Sequence, residues 1–165
     1  GRGSRSQREA PVRVRLLIAA IGRAGRGPER ELYEHYAGRI RWPLGLRELE
    51  DKRKLPPAQL IEREGELLLR AAPAGAVTVA LDRRGTVLDS ETFAQRLGRW
   101  RDDSVGDIAF LIGGADGHGE PLLEQASLIL SFGAMTWPHL LARAMLAEQI
   151  YRAQQLLAGH PYHRA

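Results

Sequence analysis

The sequence contains no cysteine, and its only lysines are Lys52 and Lys54. Without cysteine the chain can form neither disulfides nor thiolate zinc sites and has no thiol nucleophile, which fits a reducing compartment. No apolar run approaches the ~20 residues that span a bilayer. The first residues also lack the apolar core of a secretion signal. These absences predict a cytoplasmic protein without a membrane segment.

Basic and acidic residues nearly balance. The formal net charge is +4, and half of that excess lies in residues 1–11, where three arginines face one glutamate. Such a charge supports a nucleic-acid partner only weakly. Residues 1–11 are polar and aperiodic, and we interpret them as a disordered tail or a remnant of cloning. The remainder, residues 12–165, has the length of a single domain.

Short apolar runs alternate with stretches of helical periodicity. The runs predict strands over residues 12–21, 44–49, 76–81, 108–112 and 127–132, with a turn at 82–85. Helices are predicted over 28–41, 58–72, 120–126 and 139–158, and one more is capped by Asp89 or Ser90. Most of the strands are apolar on both faces and helices separate them. The pattern therefore predicts an α/β fold with a mostly parallel sheet covered by helices, in which 44–49 is an edge strand.

The final predicted helix carries two apolar stripes. The first consists of Leu146, Ile150, Ala153 and Leu157, and the second of Leu140, Ala144, Ala147 and Tyr151. One stripe suffices to dock a helix onto a sheet. The second indicates a partner, most simply a symmetric dimer. The alternative is a helix sunk more deeply into a single core.

Two irregular loops follow strands in the second half of the chain. Residues 113–119 contain four glycines, which let a ligand approach the main chain closely. Residues 132–138 follow the next strand. Loops at the carboxyl ends of parallel strands are where ligands sit. These two offer main-chain groups to a flat heterocycle, with apolar walls from Leu81, Met135 and Trp137.

Several familiar motifs are missing. No glycine loop ends in Gly-Lys-Ser/Thr, the glycines follow the fourth predicted strand rather than the first, and there is no Gly-x-Ser-x-Gly elbow. His118, His139, His160 and His163 lack the His-x-x-x-His spacing of a helical zinc site, so we expect no metal. What remains is a nucleoside-shaped pocket without a phosphate anchor. S-adenosyl-L-methionine has that character.

Four motifs occur in order after the middle of the sequence. They are Leu-Ile-Gly-Gly-Ala-Asp-Gly from Leu111, Leu-Ser-Phe-Gly-Ala-Met-Thr-Trp-Pro-His-Leu-Leu-Ala-Arg from Leu130, Glu-Gln-Ile-Tyr-Arg-Ala from Glu148, and His-Pro-Tyr-His-Arg from His160. In order and spacing they resemble the bacterial ribosomal large-subunit RNA pseudouridine-N3 methyltransferases of the α/β-knot (SPOUT) superfamily. Looser matches extend the resemblance back to about residue 12.

The resemblance implies a C-terminal trefoil knot and a methyl-donor site on its loops. It assigns to the S-adenosyl-L-methionine site the residues Leu81, Gly113, Gly114, Phe132, Gly133, Ala134, Met135, Thr136 and Trp137. It also implies a homodimer that acts on 23S rRNA within the ribosome. A single domain leaves no room for a separate RNA-binding domain, so we expect the dimer surface and the tail to recognise the substrate.

Residues near the implied donor site are candidates for catalysis. N3 of a pseudouridine must lose a proton to act as a nucleophile, and His139 begins the long helix beside the second loop. Arg143, one turn on, is a candidate to hold a phosphate or a base oxygen. The bland alternatives are that His139 caps or packs and that Arg143 forms a surface ion pair. Tyr162, His163 and Arg164 form an aromatic and basic tail suited to an extruded base.

Two other functions stay open at the level of sequence. The first is a knot-fold tRNA methyltransferase, which differs from the implied activity only in its RNA. The second is a catalytically idle dimeric RNA-binding protein that keeps the fold. Transfer of labelled methyl groups and binding of S-adenosylhomocysteine distinguish the three.

Overall fold

A computed structural model describes residues 14–159 of the chain. The predicted tail, residues 1–11, and the candidates Tyr162, His163 and Arg164 lie outside the described residues. Between residues 14 and 159, no helix has both the length and the apolar character needed to cross a membrane.

The described residues form five parallel strands and five helices. The strands are β1 (Arg15–Ile21), β2 (Leu44–Leu49), β3 (Val77–Val87), β4 (Asp107–Ile112) and β5 (Leu128–Ser131), in the order β2-β1-β4-β3-β5. The helices are α1 (Pro28–Ala37), α2 (Pro57–Ala71), α3 (Ser90–Asp102), α4 (Glu120–Gln125) and α5 (His139–Leu157). The predicted α/β architecture and the edge position of β2 are confirmed. The implied trefoil knot stays a prediction.

The side chains of the apolar run in β4 pack into two hydrophobic cores, one on each face of the sheet. Ile108, Phe110 and Ile112 face the core beneath α1, α3 and α5, whereas Ala109 and Leu111 face the core beneath α2 and α4. None of these side chains is more than 3% exposed. Side chains alternate along a strand, so a strand covered on both faces needs an apolar residue at every position.

Helix α1 ends earlier than the predicted boundary at residue 41. It stops at Ala37. The amides of Arg41 and Trp42 then point to the side-chain oxygen of Gln154 in α5, at 2.8 and 3.4 Å. These amides bind α5 instead of carbonyls one turn back in α1, so the helix cannot continue through them.

Residues 82–85 form a bulge within β3 rather than the predicted turn. Leu81 and Thr86 both pair with Leu130 of β5, so the residues between them are extruded from the ladder. The Asp82 carboxylate accepts a hydrogen bond from the amide of Arg84 at 2.9 Å, as in a turn. Renewed pairing with β5 nevertheless carries the strand on to its end at residue 87.

Most of both apolar stripes of α5 is buried within the one chain, and Leu140 and Leu157 are half-buried. Leu146 and Ile150 are fully buried beneath α1 and α3, and so is Ala147 of the second stripe. The ring of Tyr151 lies 6.3 Å from that of Tyr36 in α1. The second stripe therefore packs largely within the core of the chain itself, as in the alternative of a more deeply sunk helix, and does not by itself indicate a partner. The homodimer stays a prediction that depends on the resemblance.

Candidate active site

A cavity of about 830 Å³ opens at the carboxyl edge of the sheet. Its lining comes from the β3 bulge, the glycine loop after β4, the loop after β5 and the first turns of α5. This position follows from the topology. β4, β3 and β5 are adjacent and parallel, so the segments that leave their carboxyl ends meet in one place.

The structure brings the predicted cofactor-binding residues together. All of them except Ala134 line the cavity, namely Leu81, Gly113, Gly114, Phe132, Gly133, Met135, Thr136 and Trp137. Ala134 lies in the same loop and is exposed. Whether these residues bind a cofactor stays a prediction.

The glycine loop folds back on itself directly after β4. The amide of Gly117 donates to the carbonyl of Gly114 at 3.0 Å, and Gly117 has a φ of +75°, which favours glycine. A Cβ added to Gly113 would lie 3.0 Å from the carbonyl oxygen of Gly117 and 3.2 Å from Cε1 of His118. Glycine at position 113 therefore permits the tight fold that leaves main-chain groups along the cavity wall.

His118 holds the glycine loop against the sheet, a role that sequence reasoning missed. The side chain is buried, and Nε2 lies 3.0 Å from the carbonyl oxygen of Leu111. Because a carbonyl only accepts, Nε2 carries the proton. Burial lowers the pKa of His118 below its ordinary value, against the opposing effect of this hydrogen bond, so the ring is neutral at pH 7. Its place inside the glycine loop was the only signal in the sequence.

Asp82 and Arg84 fasten the β3 bulge to the same loop. The Arg84 guanidinium binds both carboxylate oxygens of Asp82 at 2.9 Å and donates to the carbonyl of His118 at 2.7 Å. Burial pushes the pKa of Asp82 upward, but the hydrogen bonds and charge of Arg84 outweigh it and the pKa is lowered. Asp82 therefore stays ionised at the cavity wall, and Arg84 is occupied by protein groups.

Two further carboxylates lie near the glycine loop. Asp116 lines the cavity, and a Cβ added to Gly114 would lie 3.2 Å from Oε1 of Glu64. The pKa of Glu64 is raised by its burial and by the charges of Asp116 and Asp51. The cavity lining contains acidic and basic side chains together, because Arg83 and Arg84 line it as well as Asp82 and Asp116. No group of three or more His, Asp or Glu side chains suited to a metal ion occurs within residues 14–159.

The loop after β5 supplies the apolar rim. Met135 and Trp137 are 73% and 40% exposed although both line the cavity. The indole Nε1 of Trp137 donates to the carbonyl of Phe132 at 3.3 Å, which ties the ring to its own loop. Large apolar side chains at a cavity mouth are typical of sites that receive a flat ligand or base.

His139 and Arg143 lie one turn apart on α5 but have different surroundings. His139 lines the cavity, and its pKa is lowered by burial and then by the charge of Arg143. Arg143 is 2% exposed and donates to Glu48 at 2.5 Å and to the carbonyl of Gly22 at 2.9 Å. This burial is at odds with the predicted contact to a phosphate or a base oxygen, because both terminal nitrogens are committed to the protein.

Comparison with known proteins gives consistent matches over the chain. The family model described as "Predicted SPOUT methyltransferase" matches residues 14–163. The chain is 59% identical over 152 residues to "Ribosomal RNA large subunit methyltransferase H" of Rhodospirillum centenum, which covers 92% of this chain and 100% of that protein. It is 56% identical over 151 residues to the protein of the same name from Paramagnetospirillum magneticum, covering 92% and 99%.

A solved structure shares the fold. It is described as a probable methylase family protein from Haemophilus influenzae Rd KW20, and it aligns with a TM-score of 0.53 at 11% identity. The alignment covers 88% of this chain and 68% of that one. At this identity the likeness concerns the fold alone.

Proposed function

Because the chain belongs to the SPOUT methyltransferase family, we propose that it methylates N3 of a pseudouridine in 23S ribosomal RNA. The proposed methyl donor is S-adenosyl-L-methionine, and the proposed substrate is the assembled ribosome. The observation that carries the ribosomal RNA assignment is the identity of 59% and 56%, over almost the whole length, to two proteins named ribosomal RNA large subunit methyltransferase H. The target atom and the assembled particle come from the resemblance of the four sequence motifs. The proposal implies a cytoplasmic site of action, where bacterial ribosomes are found.

The described residues fit the proposed methyl donor. S-adenosyl-L-methionine supplies an electrophilic methyl group on a positively charged sulfur and carries no phosphate. The cavity offers main-chain groups from the folded glycine loop and an apolar rim, which suit a nucleoside without phosphates. We propose that Gly113 and Gly114 present main-chain atoms to the nucleoside part and that Met135 and Trp137 flank it.

The role of the protein is then to position the target and to remove a proton. The N3 atom of a pseudouridine carries a hydrogen, and its lone pair becomes a good nucleophile when that proton leaves. His139 is neutral at pH 7 because burial and the Arg143 charge lower its pKa. A neutral imidazole can accept the proton, whereas an imidazolium cannot. We therefore assign to His139 the role of proton acceptor at the cavity wall.

The proposal includes three parts whose support is the resemblance alone. They are a trefoil knot, a homodimer, and contact between the target base and the terminal residues Tyr162, His163 and Arg164. An aromatic ring beside basic residues suits a base that has left its stack and the phosphates on either side of it.

Methyl transfer to defined RNA substrates tests the proposal. The protein is incubated with labelled S-adenosyl-L-methionine and, in parallel, with ribosomes that lack the mark, with free 23S rRNA and with tRNA. We expect label in the 23S rRNA of the ribosomes, which nuclease digestion and mass spectrometry assign to N3 of one pseudouridine. Transfer to tRNA alone would make the protein a tRNA methyltransferase. Absence of transfer, together with no calorimetric heat on addition of S-adenosylhomocysteine, would make it an idle RNA-binding protein.

A further inference from the structure

Arg143 joins three elements that meet behind the cavity. Its Nη1 atom donates to Oε2 of Glu48 on β2 at 2.5 Å. Its Nη2 atom donates to the carbonyl oxygens of Ile21 and Gly22, at 3.3 and 2.9 Å, where β1 ends. The side chain itself belongs to the second turn of α5. A buried arginine bonded in this way fixes the distances between the elements that it links.

Glu48 extends this connection into the loop between β1 and α1. The same oxygen that accepts from Arg143 also accepts from the amide of Ala24, at 2.6 Å. Burial pushes the pKa of Glu48 upward, but the hydrogen bonds from Arg143 and Ala24 and the Arg143 charge lower it overall. Glu48 is therefore an anion at neutral pH, and the loop beginning at Gly22 is held by both members of one ion pair.

The loop in turn packs against His139. Gly22 has a φ of +96°, and a Cβ added there would lie 3.3 Å from Cε1 of the His139 ring. The Nδ1 atom of His139 is buried and has no hydrogen-bond partner among residues 14–159. No hydrogen bond therefore holds the ring through this atom, and its orientation depends on the backbone against which it packs. That backbone is the segment whose carbonyls Arg143 binds.

We propose that Arg143 and Glu48 are positioning residues for methyl transfer. They hold the β1–α1 loop against the start of α5 and thereby fix the imidazole of His139 at the cavity wall. This role replaces the predicted contact of Arg143 with the RNA. It rests on the methyl transfer and the His139 role proposed above. Glu48 was not among the site residues predicted from the sequence.

Electrostatics around the pair supports this assignment. Burial and the Arg143 charge both lower the pKa of His139. Two other ionisable groups near the pair are Tyr33 on α1 and Arg23 in the β1–α1 loop. Burial raises the pKa of Tyr33 to about 12, so it stays neutral, and Arg23 is engaged with Glu50 at 2.9 Å. Substitution of Arg143 or Glu48 should therefore change the pKa of the His139 ring directly.

Histidine titrations by NMR, combined with kinetics, test the proposal. The imidazole signals of the wild type, Arg143→Gln and Glu48→Gln are followed against pH, with His139→Gln to assign the signal. Arg143→Gln should raise the pKa of His139, because a nearby positive charge is lost. Glu48→Gln should lower it, because the charge of Arg143 is less neutralised. Both variants should lose roughly tenfold in kcat, with less than about a threefold change in affinity for S-adenosylhomocysteine.

Arg101→Gln is the matched control, because it removes an arginine from an exposed ion pair with Asp102 at the end of α3. It should change neither the His139 titration nor kcat. An unchanged His139 titration in folded Arg143→Gln would overturn the proposal. If that variant does not fold, an unchanged titration in Glu48→Gln decides in the same way. The titrations need no substrate. A wild type that transfers no methyl group, with both pKa shifts present, would refute the proposed reaction and leave the positioning geometry intact.

Discussion

The hydroxyl of Ser131 lies 3.1 Å from the carbonyl oxygen of Arg83 and joins the end of β5 to the β3 bulge. The same oxygen accepts a hydrogen bond from the amide of Gly133 at 3.0 Å. Ser131 is buried, whereas Arg83 and Gly133 both line the cavity. One side chain beneath the site therefore sets the spacing between two of its walls.

Replacing Ser131 by alanine should weaken both the fold and the site. The change removes the hydrogen bond to the half-buried Gly133 amide, and a lost hydrogen bond costs about 0.5–1.5 kcal/mol. Urea unfolding should show a loss of that size, and calorimetry should show weaker binding of S-adenosylhomocysteine. Thr86→Ala removes an exposed hydroxyl from the edge of the bulge and should change neither quantity. Equal behaviour of the two variants would contradict the role of Ser131.

Gly85→Ala should destabilise the protein because β5 passes too close for a side chain. A Cβ at this position would overlap the Ile129 backbone, with its carbonyl carbon 2.6 Å away. Forcing an extra carbon into a packed site costs about 1–3 kcal/mol or more. At roughly 2–4 °C per kcal/mol for a domain of this size, the change should lower Tm by several degrees.

Gly106→Ala is the control for this comparison. A Cβ at Gly106 meets nothing within 4 Å, so its Tm should match that of the wild type. An equal Tm for Gly85→Ala and Gly106→Ala would contradict the close approach of β5 to the bulge.

Stability should fall as the pH drops below about 6.5, the ordinary pKa of histidine. Burial is the largest cause that lowers the pKa of both His118 and His139 in the folded chain. Below that pH the unfolded state binds more protons than the folded state, so acid favours unfolding. The pKa values of the Asp82 and Glu48 carboxyls are lowered in the folded chain from their ordinary values of 3.8 and 4.5. These two groups therefore cause a further loss of stability when the pH falls below those values.

Urea unfolding at pH 7.5 and pH 5.5 measures this dependence. The free energy of unfolding should be smaller at pH 5.5, and the difference should shrink in His118→Gln. Greater stability of the wild type at pH 5.5, with the same pH difference in His118→Gln, would contradict the burial of His118 as a neutral ring.

Tyr162→Ala should reduce turnover and leave cofactor binding nearly intact. The resemblance assigns the terminal aromatic and basic residues to the target base rather than to the methyl donor. Loss of a stacking ring costs roughly 1–3 kcal/mol per base. The kcat on ribosomes and the calorimetric Kd for S-adenosylhomocysteine measure the two effects. A parallel loss of both would contradict this assignment.

Local sequence signals were sufficient for most of the fold. The unbroken apolar run of β4 predicted a strand covered on both faces, and Asp89 does cap α3, accepting from the Thr92 amide at 2.7 Å. Both signals act within a few residues. The early end of α1 depends instead on Gln154, which is 113 residues from Arg41 and leaves no trace in the periodicity of α1.

The same distinction applies to the site. The glycine loop and the loop after β5 were identified because their residue types are locally unusual. The buried surroundings of Arg143 were not identified, because its partner Glu48 is 95 residues away in the sequence. In the sequence, Glu48 resembles any other charged residue of an edge strand. Burial of a charge by a distant partner is a property of the folded chain, so sequence reasoning placed this arginine on the substrate.

Titration with S-adenosylhomocysteine, followed through the amide resonances of the protein, tests most directly whether the two loops hold the methyl donor. We expect saturable binding with the largest shift changes in residues 113–119 and 132–138, and smaller ones at Leu81 and His139. Saturable binding with its largest resonance changes elsewhere, such as at the amino ends of the strands near Gly106, would contradict the proposed site.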